Sequence, residues 1–144
     1  MLLNVSQDLA KKKELISDTI GKPFNLEKRK ELEGTVLSNI AVTAASIDLY
    51  NLMVLHEEQI FCNFEMRPKG IIISFRAKND MYSLVIPFFK LKIYKGKAEE
   101  YSFYKDHYFI KIWAGADQDD VHKFVKKVKN YQTDTSFPRI EDIM

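Results

Sequence analysis

Cysteine is almost absent from this chain, since Cys62 is the only one among its 144 residues. A single cysteine cannot form an intrachain disulfide, so a disulfide framework is excluded. A lone cysteine is either a small buried core residue or a reactive thiol. We interpret Cys62 as a core residue.

Long apolar runs are also missing. The longest, Leu84 to Phe89, falls far short of the ~20 residues that span a bilayer. The first residues, Met1 to Ser6, lack the charged start and sustained apolar stretch of a signal peptide. We therefore expect a cytoplasmic protein with no transmembrane segment.

A strong excess of charge of one sign is absent as well. The chain has 22 Lys and Arg against 20 Asp and Glu, for a net charge of +2. This balance gives no overall case for nucleic acid or for an acidic substrate. The hydrophobic share of 46% and the charged share of 29% are ordinary for one folded domain. We expect no nucleic-acid partner.

Two helices are predicted near the start of the chain. Apolar residues recur at helical spacing over Ser6–Ile20, with Ser6 as a candidate cap and Gly21 as the end. A shorter helix over Leu26–Glu33, capped by Asn25, is mostly charged. We assign 1–34 as an N-terminal helical segment.

A third helix is predicted from Asp117, as its cap, to Tyr131. It carries a continuous apolar stripe of Val121, Phe124, Val125, Val128 and Tyr131. A stripe of this kind must dock on another element. The remaining residues, 132–144, read as a polar tail.

The middle of the chain predicts about seven antiparallel strands. Thr35–Leu55 is ambiguous, because β-branched residues coincide with helical spacing. We interpret it as two strands, Thr35–Thr43 and Ile47–Leu55, and a single long helix is the alternative. The other predicted strands are 60–64, 70–75, 81–86, 101–105 and 108–113. Residues 88–95 are either a further strand or the continuation of 81–86 beyond a bend at Pro87. Apolar residues on both faces of 70–75 indicate a central strand.

The element order over Thr35–Tyr131 resembles the pleckstrin-homology-like (PH-like) fold, with Trp113 in the final hairpin and the apolar stripe on the last helix. The resemblance implies an α+β domain at 35–131, in which two antiparallel sheets form a split barrel or roll closed by the C-terminal helix. A cystatin-like or NTF2-like curved sheet is the alternative, but such folds normally end on strands.

Two stretches, Leu84–Leu91 and Tyr108–Ile112, resemble small uncharacterised bacterial proteins. This resemblance implies no activity.

No catalytic pattern is present in the sequence. The five glycines stand singly, so there is no phosphate-binding loop. His56 beside Glu57 and Glu58 is either an acid–base cluster or a polar connection, and we prefer the connection. His107 and His122 have no partner at metal-ligand spacing, and we place His122 on the polar side of the last helix. We predict no catalytic residue, cofactor or metal.

Lysines form two clusters, one at positions 90, 92, 95 and 97 and the other at positions 123, 126, 127 and 129. They either keep a surface soluble and a sheet edge unpaired or attract an anionic partner. Our candidate binding residues are Lys90, Lys92, Lys123 and Lys127. The loop that binds phosphoinositides in PH domains corresponds here to Ala44–Ser46, which has no basic residue.

Three functions remain open. The first is a non-enzymatic module that binds a protein or peptide, or a second copy of itself. The second is a peripheral binder of anionic membrane lipids. The third is a small-ligand protein or enzyme with a pocket lined by Phe61, Phe75 or Tyr82.

We expect the aromatic residues of the last hairpin to serve core and cross-strand packing rather than base stacking: Tyr101, Phe103, Tyr104, Tyr108 and Phe109.

Overall fold

The computed structural model describes residues 1–53, 60–77, 79–96, 99–115 and 117–136. Within them one antiparallel sheet has eight strands, in the order β1-β5-β4-β3-β2-β8-β7-β6. The strands are β1 (Leu2–Asn4), β2 (Val36–Ala45), β3 (Phe61–Arg67), β4 (Gly70–Ala77), β5 (Asp80–Pro87), β6 (Lys92–Lys95), β7 (Glu100–Lys105) and β8 (Tyr108–Trp113). The helices are α1 (Leu9–Ile20), α2 (Leu26–Glu31), α3 (Ile47–Met53) and α4 (Asp119–Ser136). The predicted α+β class is confirmed.

Strand β2 belongs to both halves of the sheet. Its first half pairs with β3 and its second half with β8. The register shifts between Leu37 and Ile40 and again between Val42 and Ala44. At the first shift Asn39 has a φ of 58°, and its N–H donates to Asn63 Oδ1 at 2.9 Å. Because such bulges bend a strand and increase its twist, β2 is the place where the sheet turns around the core.

The main core lies between the sheet and α4. Phe64 is fully buried, and its ring centroid lies 4.9 Å from that of Phe103 on β7 and 5.8 Å from that of Phe124 on α4. The apolar stripe predicted on α4 is buried in this core, apart from its last residue. That residue, Tyr131, is half-buried and packs against Phe24 and Phe88. Cys62 is buried in the same core, and burial raises the pKa of its thiol to about 12.

A second, smaller core covers the opposite face of β4 and β5. It contains Ile16 and Ile20 of α1 with Ile72 and Val85 of the two strands. The N-terminal helix therefore packs on the sheet. Strand β4 is covered on both faces and lies between β3 and β5, which confirms its predicted central position.

The prediction of a strand over Ile47–Leu55 is wrong as far as Met53, and its last two residues lie outside the described part of the chain. Strand β2 ends because Ser46 turns toward β8: its N–H donates to Phe109 O at 3.0 Å, and its Oγ accepts from Phe109 N at 3.1 Å. The Ser46 carbonyl then accepts from Tyr50 N at 2.7 Å, which closes the first turn of α3. The alternative of one long helix is wrong too, since 36–45 is a strand.

The helix ends show which caps the sequence predicted correctly. Asn25 caps α2 as predicted, because its side chain accepts from Lys28 N at 2.8 Å. Gly21 ends α1 with a φ of 90°. Ser6 is not a helix cap: α1 begins at Leu9, and Ser6 Oγ accepts from Met81 N at 2.8 Å, which ties the segment to β5.

Three further boundaries differ from the prediction. Residues 88–95 are not one strand, because a 3₁₀ turn at Phe88–Lys90 follows the expected bend at Pro87 and precedes β6. Helix α4 begins two residues after Asp117 and continues past Tyr131 to Ser136. Strand β1 pairs with β5. It is missing from the predicted set of about seven strands.

Candidate functional site

Strand β6 lies at one edge of the sheet and, within the described ranges, pairs only with β7. Gly96 N–H donates to Glu100 O at 2.9 Å. Backbone bonds alternate along an antiparallel pair, so Tyr94, opposite Ser102, also bonds to β7. The intervening residues, Ile93 and Lys95, therefore direct their N–H and C=O groups away from the sheet.

A basic groove lies between the end of this edge and α4. It has a volume of about 240 Å³ and is lined by Lys95, Tyr101, His122, Val125, Lys126, Lys129 and Asn130. None of these lining residues is acidic. Lys126 and Lys129 are exposed on α4, so both ammonium groups are available to an anionic partner.

His122 holds α4 against β7 at this groove. Its Nδ1 lies 2.8 Å from the Tyr101 hydroxyl, and its Nε2 lies 3.2 Å from Gly115 O. The sequence places His122 on the polar side of α4. The ring lines the groove with Lys126 and Lys129, and it is half-buried between its two partners. This contact fixes one wall of the groove relative to the sheet.

Lys90 and Lys92 lie at the other end of β6, around a cavity of about 420 Å³ that Phe89, Tyr94, Tyr104 and Asp106 complete. Lys90 Nζ lies 3.5 Å from Asp106 Oδ2. The Phe89 side chain is highly exposed, at 74%. This end of the edge combines two cations with exposed aromatic surface.

The aromatic residues of the last hairpin divide between the two faces of the sheet. Tyr101 and Phe103 are buried in the core, as expected. Tyr104 and Phe109 form the expected cross-strand pair, with ring centroids 5.4 Å apart, and Tyr104 also contacts Tyr94 at 5.4 Å. This row lies on the outer face, because the side chains of Phe103 and Ile110 fill the inner one.

Lys123 and Lys127 line an adjoining, larger groove, of about 810 Å³, between α4 and the α2–β2 connection. It shares Lys126 and Asn130 with the basic groove. Lys127 Nζ donates to Gly34 O at 2.8 Å, and burial lowers the pKa of Lys127. Glu31, Glu33 and Asp120 also line this groove, so its charge is mixed. The four candidate lysines therefore line two separate surfaces.

The structure adds three lysines to the candidates: Lys95, Lys126 and Lys129. All three belong to the basic clusters of the sequence, which indicated the charge but not its position. The side of α4 that meets the edge of β6 depends on how the helix docks. Spacing along the chain alone does not determine it.

The remaining sequence candidates do not converge. His56, Glu57 and Glu58 lie outside the described residues. His107 is at the hairpin tip, where its Nε2 lies 3.2 Å from Asp48 Oδ2. In the part of the chain that the structure describes, no group of three or more His, Cys, Asp or Glu side chains could hold a metal ion.

The three rings proposed to line a small-ligand pocket do not face one cavity. Phe75 is buried and stacks on Tyr82 at 5.8 Å. Phe75 lies opposite Cys62, so Phe61, the adjacent residue on β3, points to the other face of the sheet. Its side chain is 51% exposed there.

Among the helices of the described residues, none is both long and apolar enough to cross a membrane.

Comparison with protein-family models and with curated proteins finds no match for this chain.

Proposed function

We propose that this chain is a non-enzymatic interaction module with a PH-like fold that binds an extended peptide along β6. The observation that carries the proposal is the open backbone edge at Ile93 and Lys95, next to the groove that α4 forms. A peptide in a strand conformation can add to such an edge through main-chain hydrogen bonds.

The arrangement of the elements supports the PH-like part of the proposal. From β2 onwards the strands lie in the order β5-β4-β3-β2-β8-β7-β6, and the long β2 pairs with both halves of the sheet. The C-terminal helix buries its apolar stripe in the core between them. A split barrel closed by its last helix requires these features.

The open edge has the groups that strand addition needs. Ile93 and Lys95 each offer one N–H donor and one C=O acceptor to a neighbouring strand. Helix α4 supplies a side wall, and Gln132 Nε2 holds the start of the edge by donating to Phe88 O at 2.9 Å and to Leu91 O at 2.5 Å. The N–H and C=O groups of Ile93 and Lys95 all point away from β7, beside the wall that α4 forms. This arrangement favours an extended peptide over a folded surface as the partner.

We expect Lys95→Pro to weaken peptide binding strongly without unfolding the domain. Proline removes an N–H that faces away from β7, and such positions on edge strands tolerate proline. The measurement is a selection from a random-peptide display library on the wild-type chain, followed by the affinity of each recovered peptide for the variant. Binding should weaken by about tenfold or more, since a directed bond is lost and the ring obstructs the partner strand.

Lys95→Thr is the matched control, because it removes the same side chain but keeps the N–H. It should bind at least about tenfold more tightly than Lys95→Pro, because both variants lose the lysine charge and only the proline variant loses the N–H. Circular dichroism checks that both variants are folded. Recovery of no peptide, or of peptides that bind Lys95→Pro as tightly as Lys95→Thr, would refute strand addition at β6.

A further inference from the structure

We infer that the peptide partner of β6 is acidic, with Asp, Glu or phosphorylated side chains on both faces of the added strand. The inference rests on the proposed function and specifies the chemistry of the ligand at the same site. It is carried by the charges that border the open edge, which come from two separate elements of the fold.

The strand itself presents lysines on both faces. Lys92 lies opposite Tyr104 and Lys95 lies opposite Tyr101. Because side chains alternate along a strand, Lys92 is on the outer face with Tyr104, whereas Lys95 is on the inner face and lines the groove. A strand added to β6 would therefore place one set of its side chains beside each lysine.

Helix α4 adds positive charge to the same groove. Lys126 and Lys129 are one turn apart and line it together with Lys95. Lysines on an edge strand are sufficient to prevent unwanted pairing between sheets, but that role does not call for lysines on a separate helix. The convergence of Lys95, Lys126 and Lys129 therefore indicates recognition of negative charge.

Asp106, the carboxylate that lines the cavity at the other end of the edge, is already paired. Asp106 Oδ2 lies 3.5 Å from Lys90 Nζ and 3.7 Å from Lys105 Nζ. Two ammonium groups thus share a single carboxylate, which leaves net positive charge beside Lys92. Opposite charges facing each other across paired strands are favourable and like charges are unfavourable, so a basic peptide would be disfavoured at this end of the edge.

The test uses the peptides recovered from the random library on the wild-type chain. We expect them to be enriched in Asp and Glu and to bind the double variant Lys126→Glu/Lys129→Glu about tenfold more weakly, because each reversal replaces an attraction by a repulsion. The double variant Lys11→Glu/Lys13→Glu is the control. It makes the same change in net charge at exposed positions of α1, and binding should change less than twofold.

Each outcome decides between the two proposals. Neutral or basic peptides whose binding is lost in Lys95→Pro would overturn the acidic inference and leave strand addition standing. Acidic peptides that bind Lys95→Pro as tightly as Lys95→Thr would show attraction to surface charge alone, and both proposals would fall. Recovery of no peptide would also overturn both. Acidic peptides that bind Lys95→Pro much more weakly than Lys95→Thr, and that are sensitive to the α4 reversals but not to the α1 control, would support both.

Discussion

Replacing Phe64 with alanine should lower the free energy of unfolding by about 3–5 kcal/mol, which is typical for a large aromatic side chain removed from a packed core. Phe64 is fully buried on β3 and contacts Phe103 of β7 and Phe124 of α4. Its ring therefore links the two halves of the sheet to the helix that covers them. Truncation leaves a cavity at the point where these three elements meet.

Urea denaturation followed by circular dichroism and by the fluorescence of Trp113, the only tryptophan, measures this loss. Phe89→Ala is the matched control, because the same ring is removed from a position that is 74% exposed. Its effect should stay within about 0.5 kcal/mol. A loss below about 1 kcal/mol for Phe64→Ala would contradict the position of the core.

Val128→Asp should have the other large effect, a loss of more than about 4 kcal/mol. Val128 is fully buried on the face of α4 that packs against the sheet. The substitution removes an apolar contact and places a carboxylate where it has no solvent. Helix α4 cannot then dock with its stripe intact.

Because α4 also forms a wall of the basic groove, Val128→Asp should lose peptide binding as well as stability. Thermal unfolding and the affinity for the recovered peptides measure the two effects. Lys129→Asp is the control for stability alone, since it introduces the same carboxylate at the next, exposed position and should leave the fold stable. Its peptide binding should also weaken, because Lys129 lines the basic groove. If Val128→Asp were as stable as Lys129→Asp, α4 would not be docked through this face.

The sequence predicts the helices and most strands because their signals are local. The Asn25 cap, the end of α1 at Gly21 and the stripe of α4 each act within a few residues. The strand predicted at Ile47 fails because its β-branched residues are outweighed by tertiary contacts, since Ser46 bonds to Phe109 across the sheet. Strand β1 is only three residues long and pairs with β5 far along the chain, so no local pattern marks it.

The candidate site shows the same division between local and tertiary information. The sequence identifies both lysine clusters, and the charge of the surface follows from them directly. It does not show that Lys90 and Lys92 border the open edge while Lys123 and Lys127 line another groove. Which lysines share a surface depends on strand order and on the docking of α4, and both are set by contacts between distant residues.

Amide hydrogen exchange on the wild-type chain without a partner tests the central claim most directly. The claim is that β6 is an open edge, whose alternate residues bond to β7. Exchange at Tyr94 should be slow, because its N–H is paired with β7, whereas exchange at Ile93 and Lys95 should approach the rate of an unstructured peptide. Protection of Ile93 and Lys95 equal to that of Tyr94 would mean that the edge is already covered, and it would contradict the account.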